Sequence, residues 1–468
     1  VKTIEKATDY RTDKENLLAG GTGMVSAKQN AEALLRRAVM ACLLWEDLAY
    51  ESGVENADNI ASLIPMVSPD ICASIAIEAK EKQKLRHVPL YIVSEMAKYN
   101  THRPYVAKTL EKVIRRADEF AEFLAIYWRD GKTPIAKQIK LGLASAFNNF
   151  NEYQFAKYRG IGKDIKLRDV MNLVHPTPDS SAKSELFRKV LDNSLAIPDT
   201  WETALSGGAD KKDAFTRLIL EKKLGGLAFL RNLRNMEEAN VDHDVIKAGF
   251  KTINTKWLLP VHYITSAKYA KRWESEIESL MLDSFENMPK LTGHTIFAVD
   301  VSGSMRESIS GRSKNSRMDV AIAMSIVASS LCENISIYAT AGSDGRSIHQ
   351  TKLVPARKGF GLSDILKKSE HSLGGGGIFT RQCLEYIKTE EQNQIPERII
   401  IFSDSQDCDR NHALPKPFGK NNYIIDVSAH GHGVSYDNVW DAEISGWSEN
   451  FISYIMAFEG LEVPEQEN

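Results

Sequence analysis

Through the first 290 residues the apolar positions recur at helical spacing. Between 27 and 50, Ala31, Leu34, Leu35, Ala38, Val39 and Cys42 follow steps of three and four, which predicts an amphipathic helix. Shorter helices are predicted over 60–64 and 69–79, with Pro65 and Pro69 as punctuation. Further runs cover 86–99, 105–128, 134–149, 184–195, 212–223 and 226–238. The second of these aligns Val106, Leu110, Val113, Ala117, Phe120 and Leu124 on one side. No strand-like alternation interrupts them. Successive helix pairs of this length predict an α-solenoid of divergent HEAT-like repeats, whose concave side offers a large binding surface. Ahead of them, residues 1–26 are polar and glycine-rich and read as an arm lying on the rest.

Near Pro289 the pattern changes class. Apolar runs rich in β-formers now alternate with helical ones: strands over 295–300, 334–340, 351–355, 398–404, 423–427 and 439–444, and helices over 317–331, 362–369, 380–388 and 448–458. That order predicts a doubly wound parallel sheet. The expected organisation is thus multidomain, α then α/β: an arm (1–26), a helical-repeat domain (27–290) and a sheet domain (291–468).

The chemistry concentrates where the first strand ends. The stretch from His294 to Met305 runs from a buried strand into Asp300, Ser302 and Ser304, with Gly303 in the turn. One carboxylate and two hydroxyls converging on a point suit a hard divalent cation, Mg2+ or Mn2+, better than Zn2+. Ligands of open α/β sheets bind where such strands end. The Asp-x-Ser-x-Ser pattern resembles the metal-ion-dependent adhesion site of von Willebrand A-type domains. That resemblance implies a Thr from a second loop, here Thr380 after Gly374–Gly377, and an Asp from a third, here Asp404 at the end of the 398–404 strand. It further implies that Ser302 and Ser304 ligate directly, Thr380 directly or through water, while Asp300 and Asp404 hold the metal's waters. An open coordination position would then receive a carboxylate from a protein ligand. The family places its Thr directly after a glycine pair, whereas Ile378 and Phe379 intervene here.

Charge changes the picture modestly. The net formal charge is −3, but residues 1–290 hold 43 Lys+Arg against 39 Asp+Glu and residues 291–468 hold 16 against 23. A polyanion is therefore expected on the first part rather than the second. Cys42, Cys72, Cys332, Cys383 and Cys408 lack metal-type spacing and sit mostly in apolar runs, so reduced, packed thiols and a reducing, cytoplasmic compartment are expected. Val1–Glu15 is too polar to read as a signal peptide, and no apolar run approaches the ~20 residues of a membrane span, so no membrane partner is expected.

Several helical stretches carry a second resemblance. Leu224–Met236 (LGGLAFLRNLRNM), Arg86–Leu90 (RHVPL), Phe155–Tyr158 (FAKY) and Leu167–Pro176 (LRDVMNLVHP), together with Asp300–Met305, resemble the Ro autoantigen family, a TROVE helical module followed by an A-type domain. The likeness covers nearly the whole chain and points to a compact bacterial or phage-type member. It implies a ring of helical repeats closed by the A-type domain. It also implies binding of single-stranded 3′ ends of misfolded RNA in the central hole and of Y-type noncoding RNA outside. An exoribonuclease partner such as polynucleotide phosphorylase follows from the same likeness, in RNA quality control.

The residues themselves suit that reading. Lys157, Arg159, Lys163, Lys166 and Arg168 lie in one segment with Gly160 and Gly162 and can pair with phosphates. Tyr158 can stack on a base, and His175 can stack or hydrogen-bond. The same residues also read as a solvated charged loop, with His175 capping a helix end. Arg231 and Arg234 can line a cavity or pair with Glu237 and Glu238, the latter being preferred. His430 and His432 have no third ligand nearby and read as loop geometry. No catalytic motif is present, so a non-catalytic RNA-binding protein is expected. The rival readings are a metal-dependent adhesion module with an inert helical scaffold, and a subunit of a chelatase-like complex.

Overall fold

The computed structural model describes residues 31–40, 53–158, 165–309, 313–355, 357–404, 407–409, 414–427, 439–445 and 449–461. The chain forms two compact units, one of residues 58–254 and one of residues 255–468 together with those before 58.

Helix α1 (Ala31–Met40) is followed by α2 (Gly53–Leu63), α3 (Pro69–Glu81), α4 (Val88–Met96), α5 (Arg103–Val113), α6 (Asp118–Tyr127), α7 (Lys137–Ala146) and α8 (Glu152–Lys157). Next come α9 (Leu167–Val174), α10 (Ser181–Leu191), α11 (Trp201–Ser206), α12 (Lys211–Leu220), α13 (Gly226–Glu238) and α14 (His243–Phe250). Local chemistry sets many of the starts. Pro69, Pro89 and Pro104 stand in the first turns of their helices, where a missing N–H costs nothing. The Ser180, Asp210 and Asp242 side chains accept from the first exposed N–H groups of α10, α12 and α14. Each helix packs on near neighbours, α3 on α4 and α5, α5 on α7, α12 on α14. The core of this unit is aromatic between α6 and α8: the Phe120 and Phe147 rings stack at 4.1 Å, and Phe150 lies 5.5 Å from Phe155. A buried Lys80–Glu119 ion pair ties α3 to α6.

The second unit contains α15 (Pro260–Tyr269), α16 (Glu274–Asp283) and a six-stranded sheet: β1 (Leu291–Asp300), β2 (Cys332–Ser343), β3 (Ile348–Leu353), β4 (Arg398–Ser403), β5 (Asn421–Asp426) and β6 (Ala442–Ser445). Its order is β3-β2-β1-β4-β5-β6. Helices α17 (Arg317–Leu331), α18 (Phe360–Ser372), α19 (Thr380–Glu390) and α20 (Phe451–Phe458) also belong to it, as does α1, which packs on β6. β1 and β4 are buried and central, as their unbroken apolar runs require.

The structure departs from the sequence reading in two places. The sheet is mostly, not wholly, parallel, since β3 runs antiparallel to β2 with Gly342 opposite His349. Only residues 344–347 join the two strands, and a parallel return needs a crossover of a dozen residues or more. The strand accordingly starts earlier than the 351–355 segment. Second, the helices after residue 255 cluster with the sheet rather than with the preceding repeats, although their pattern is helical up to 290. Helix α17 explains why. It is buried from Arg317 to Ala328 on every face, so a sheet on one side does not cover it. Helix α15 packs on it as well.

Candidate functional site

Three loops meet at the C-terminal ends of β1 and β4. β1 ends at Asp300, which is fully buried. The chain then turns through a 3-10 segment, Gly303–Arg306. Asp300 is fixed at both oxygens: Oδ1 accepts from the Ser302 N–H at 2.8 Å and Oδ2 from the Ser403 hydroxyl at 2.7 Å. The Ser302 and Ser304 hydroxyls are 3.1 Å apart. Asp300, Ser302 and Ser304 are thus brought together as the spacing predicted.

The glycine loop of 374–377 lies directly against this turn. A Cβ on Gly303 would sit 2.6 Å from the Gly375 carbonyl oxygen, so only glycine permits the approach. The Gly376 N–H donates to the Gly342 carbonyl at 3.0 Å. Ile378 and Phe379, the two residues inserted before Thr380, are buried, and the Phe379 ring takes the space a side chain at 342 would need. Thr380 nonetheless opens α19 and is fully buried. Its N–H donates to Asp407 Oδ1 at 3.4 Å, and its hydroxyl, also buried, lies beside the same carboxylate.

The third loop follows β4. Asp404 is fully buried and forms an ion pair with the Arg317 guanidinium, itself 2 % exposed. Asp407, also buried, accepts from the Asp409 N–H at 2.9 Å. Burial and then the neighbouring Asp404 charge push the Asp300 carboxyl up to about 7. Burial likewise pushes Asp407 up to about 6. Sequence reasoning missed Arg317, Ser403 and Asp407. The only trace of Arg317 is one cation beside Ser316-x-x-Asp319, a capping box that opens an otherwise apolar helix.

Among the described residues, no group of three His, Cys, Asp or Glu side chains is placed to hold a metal. The set here rests instead on hydroxyls. Two adjacent seryl hydroxyls, the buried Thr380 hydroxyl and a buried carboxylate whose charge burial disfavours make an oxygen-only donor set, of the chemistry a hard cation takes.

The RNA-contact candidates surround helix α9. Lys166 and Arg168 are exposed at its start, where Asp169 accepts from the Lys166 N–H at 3.0 Å and lies 3.8 Å from Arg168. Exposed His175 closes the helix in the left-handed conformation, φ 49°. Lys157 is exposed at the end of α8, with its ammonium 5.5 Å from the Tyr158 ring. The Arg116 guanidinium lies over that ring at 4.4 Å, so one face of Tyr158 is already occupied. Arg159, Lys163, His430 and His432 lie outside the described residues. Arg234 pairs with Glu238 at 3.4 Å.

No protein-family model matches the chain, and no curated protein does. The solved structures do. The crystal structure of the Ro (RSR) protein of Deinococcus radiodurans aligns with 92 % of this chain and 100 % of its own, at a TM-score of 0.56 and 14 % identity. The chain has the fold of a Ro protein. No described helix is long and apolar enough to cross a membrane.

Proposed function

We propose that this chain is a non-catalytic, Ro-type RNA-binding protein of RNA quality control. The observation that carries the reading is the likeness to a Ro protein along nearly the entire length, through both the helices and the sheet. In this reading the helical unit binds RNA. Structured, Y-type RNA contacts the surface carrying Lys157, Tyr158, Lys166, Arg168 and His175, with Arg159 and Lys163 in the intervening segment. Single-stranded 3′ ends of misfolded RNA enter a ring cavity, and an exoribonuclease such as polynucleotide phosphorylase consumes them.

The sheet unit is read as a von Willebrand A-type domain with a divalent-cation site. Ser302 and Ser304 would ligate Mg2+ or Mn2+, Thr380 directly or through water, and Asp300 and Asp404 through water. The cation would supply an open position for a carboxylate of a protein ligand. The chain's own residues preform the site: Ser403 and the Ser302 N–H orient Asp300, and the glycine loop packs against the turn that carries Ser302 and Ser304.

The test is the RNA that co-purifies with the full chain, sequenced, and its affinity measured by filter binding across a salt series. A structured small RNA bound with a steep salt dependence is expected, because phosphate contacts release counterions. Failure to retain any RNA at low salt, with chelator-sensitive binding of a protein instead, would select the adhesion-module reading.

A further inference from the structure

The ion pair inside the cation pocket has a consequence of its own, which rests on the metal reading above. Asp300 ends β1 and Asp404 directly follows the adjacent strand β4, and both are fully buried. Two buried carboxylates side by side are not stable without a counter-charge. Arg317 supplies one of the two needed. Its guanidinium reaches Asp404, and its position is held from two sides. Its N–H donates to the Glu307 carbonyl at 3.0 Å, just past the turn that carries Ser302 and Ser304. The preceding Ser316 caps α17, accepting from the Asp319 N–H at 3.1 Å, while Asp319 accepts from the Ser316 N–H at 3.0 Å.

We propose that Arg317 is a built-in counter-ion of the metal centre, and that its guanidinium and the divalent cation compete for Asp404. Without metal, the guanidinium holds the third loop in place and keeps the pocket assembled. With metal, Asp404 turns to the cation's water shell and Arg317 gives it up. A cation therefore meets one unit of negative charge fewer than the carboxylates alone would present, and binds more weakly than the five oxygen donors alone would allow. The arrangement makes occupancy responsive to the ambient cation concentration.

The experiment titrates Mn2+ into the full chain and follows the free-ion signal by electron paramagnetic resonance. Wild type, Arg317→Gln, Asp404→Asn, the double variant and Asp300→Ala are compared. Removing a unit positive charge a few ångströms from a divalent ion predicts at least ~10-fold tighter binding in Arg317→Gln. The gain is expected to be at least about threefold smaller when Asp404 is already Asn, because no competition for it remains. Equal gains in both backgrounds would reduce Arg317 to plain repulsion and overturn the proposal, as would weaker binding in Arg317→Gln. Wild-type binding that is lost in Asp300→Ala keeps the metal reading in either case. Absence of Mn2+ binding in every variant removes that reading and this inference together. Thermal melts give a second readout: Arg317→Gln should melt lower than wild type in EDTA and gain more from Mn2+. If that variant folds in neither condition, Arg317→Met, which also removes the charge while keeping most of the side-chain volume, replaces it, and an affinity no tighter than wild type overturns the proposal.

Discussion

The decisive test of the RNA reading is a triple substitution around α9: Lys166→Gln, Arg168→Gln and His175→Asn. All three side chains are exposed. The one backbone demand is at position 175, whose φ of 49° favours Asn over Ala, and Asn keeps the helix terminus intact. Stability should change by no more than about 0.5 kcal/mol, as for surface positions elsewhere. The effect on binding follows from phosphate electrostatics. Two cationic contacts at ~0.9 each lower the slope of log affinity against log salt by roughly 2, which at about 0.1 M salt is roughly a 60-fold loss. His175 adds to the loss in affinity through stacking or hydrogen bonding rather than through phosphate charge. The assay is filter binding of a structured small RNA and of a single-stranded oligonucleotide over a salt series. Structured RNA should lose affinity and slope, and the oligonucleotide should change little. An unchanged slope for structured RNA would remove this surface from the account. Equal losses for both RNAs would mean that one surface serves both.

Two further outcomes are expected. Asp300→Ala should abolish Mn2+ binding while leaving RNA affinity within about twofold, because the pocket and the helical surface are chemically separate; loss of RNA binding on chelation would show that they are coupled. Glu459→Ala should lower the free energy of unfolding by about 3–5 kcal/mol in urea titrations, since it leaves a buried guanidinium uncompensated. Arg398 is 1 % exposed and pairs with Glu459 at 2.9 and 2.6 Å, and the Tyr423 hydroxyl donates to the same carboxylate at 2.9 Å. A loss below about 1 kcal/mol would mean that the carboxylate is not what holds Arg398 in the core.

Periodicity along the chain carried the change from helices to sheet, because burial imposes a period of 3.6 on a half-exposed helix and an unbroken apolar run on a central strand. It also carried the Asp300–Ser304 turn, whose donors lie within five residues. Local spacing decides such a turn, and the Ser302 N–H closes on Asp300 without help from distant residues.

What no stretch of sequence contained is the set of contacts between segments about a hundred residues apart. Ser403 reaches Asp300, and Arg317 reaches Asp404, across β1 and β4. Neither residue is distinctive where it stands: a serine ending a strand, an arginine opening a helix. The same holds for helix α15, whose own pattern suits either unit until α17, buried on every face from Arg317 to Ala328, is seen to require cover. Composition and spacing fixed which groups were available. Strand order and burial decided which charges share a low-dielectric pocket, and so which of them must find a partner.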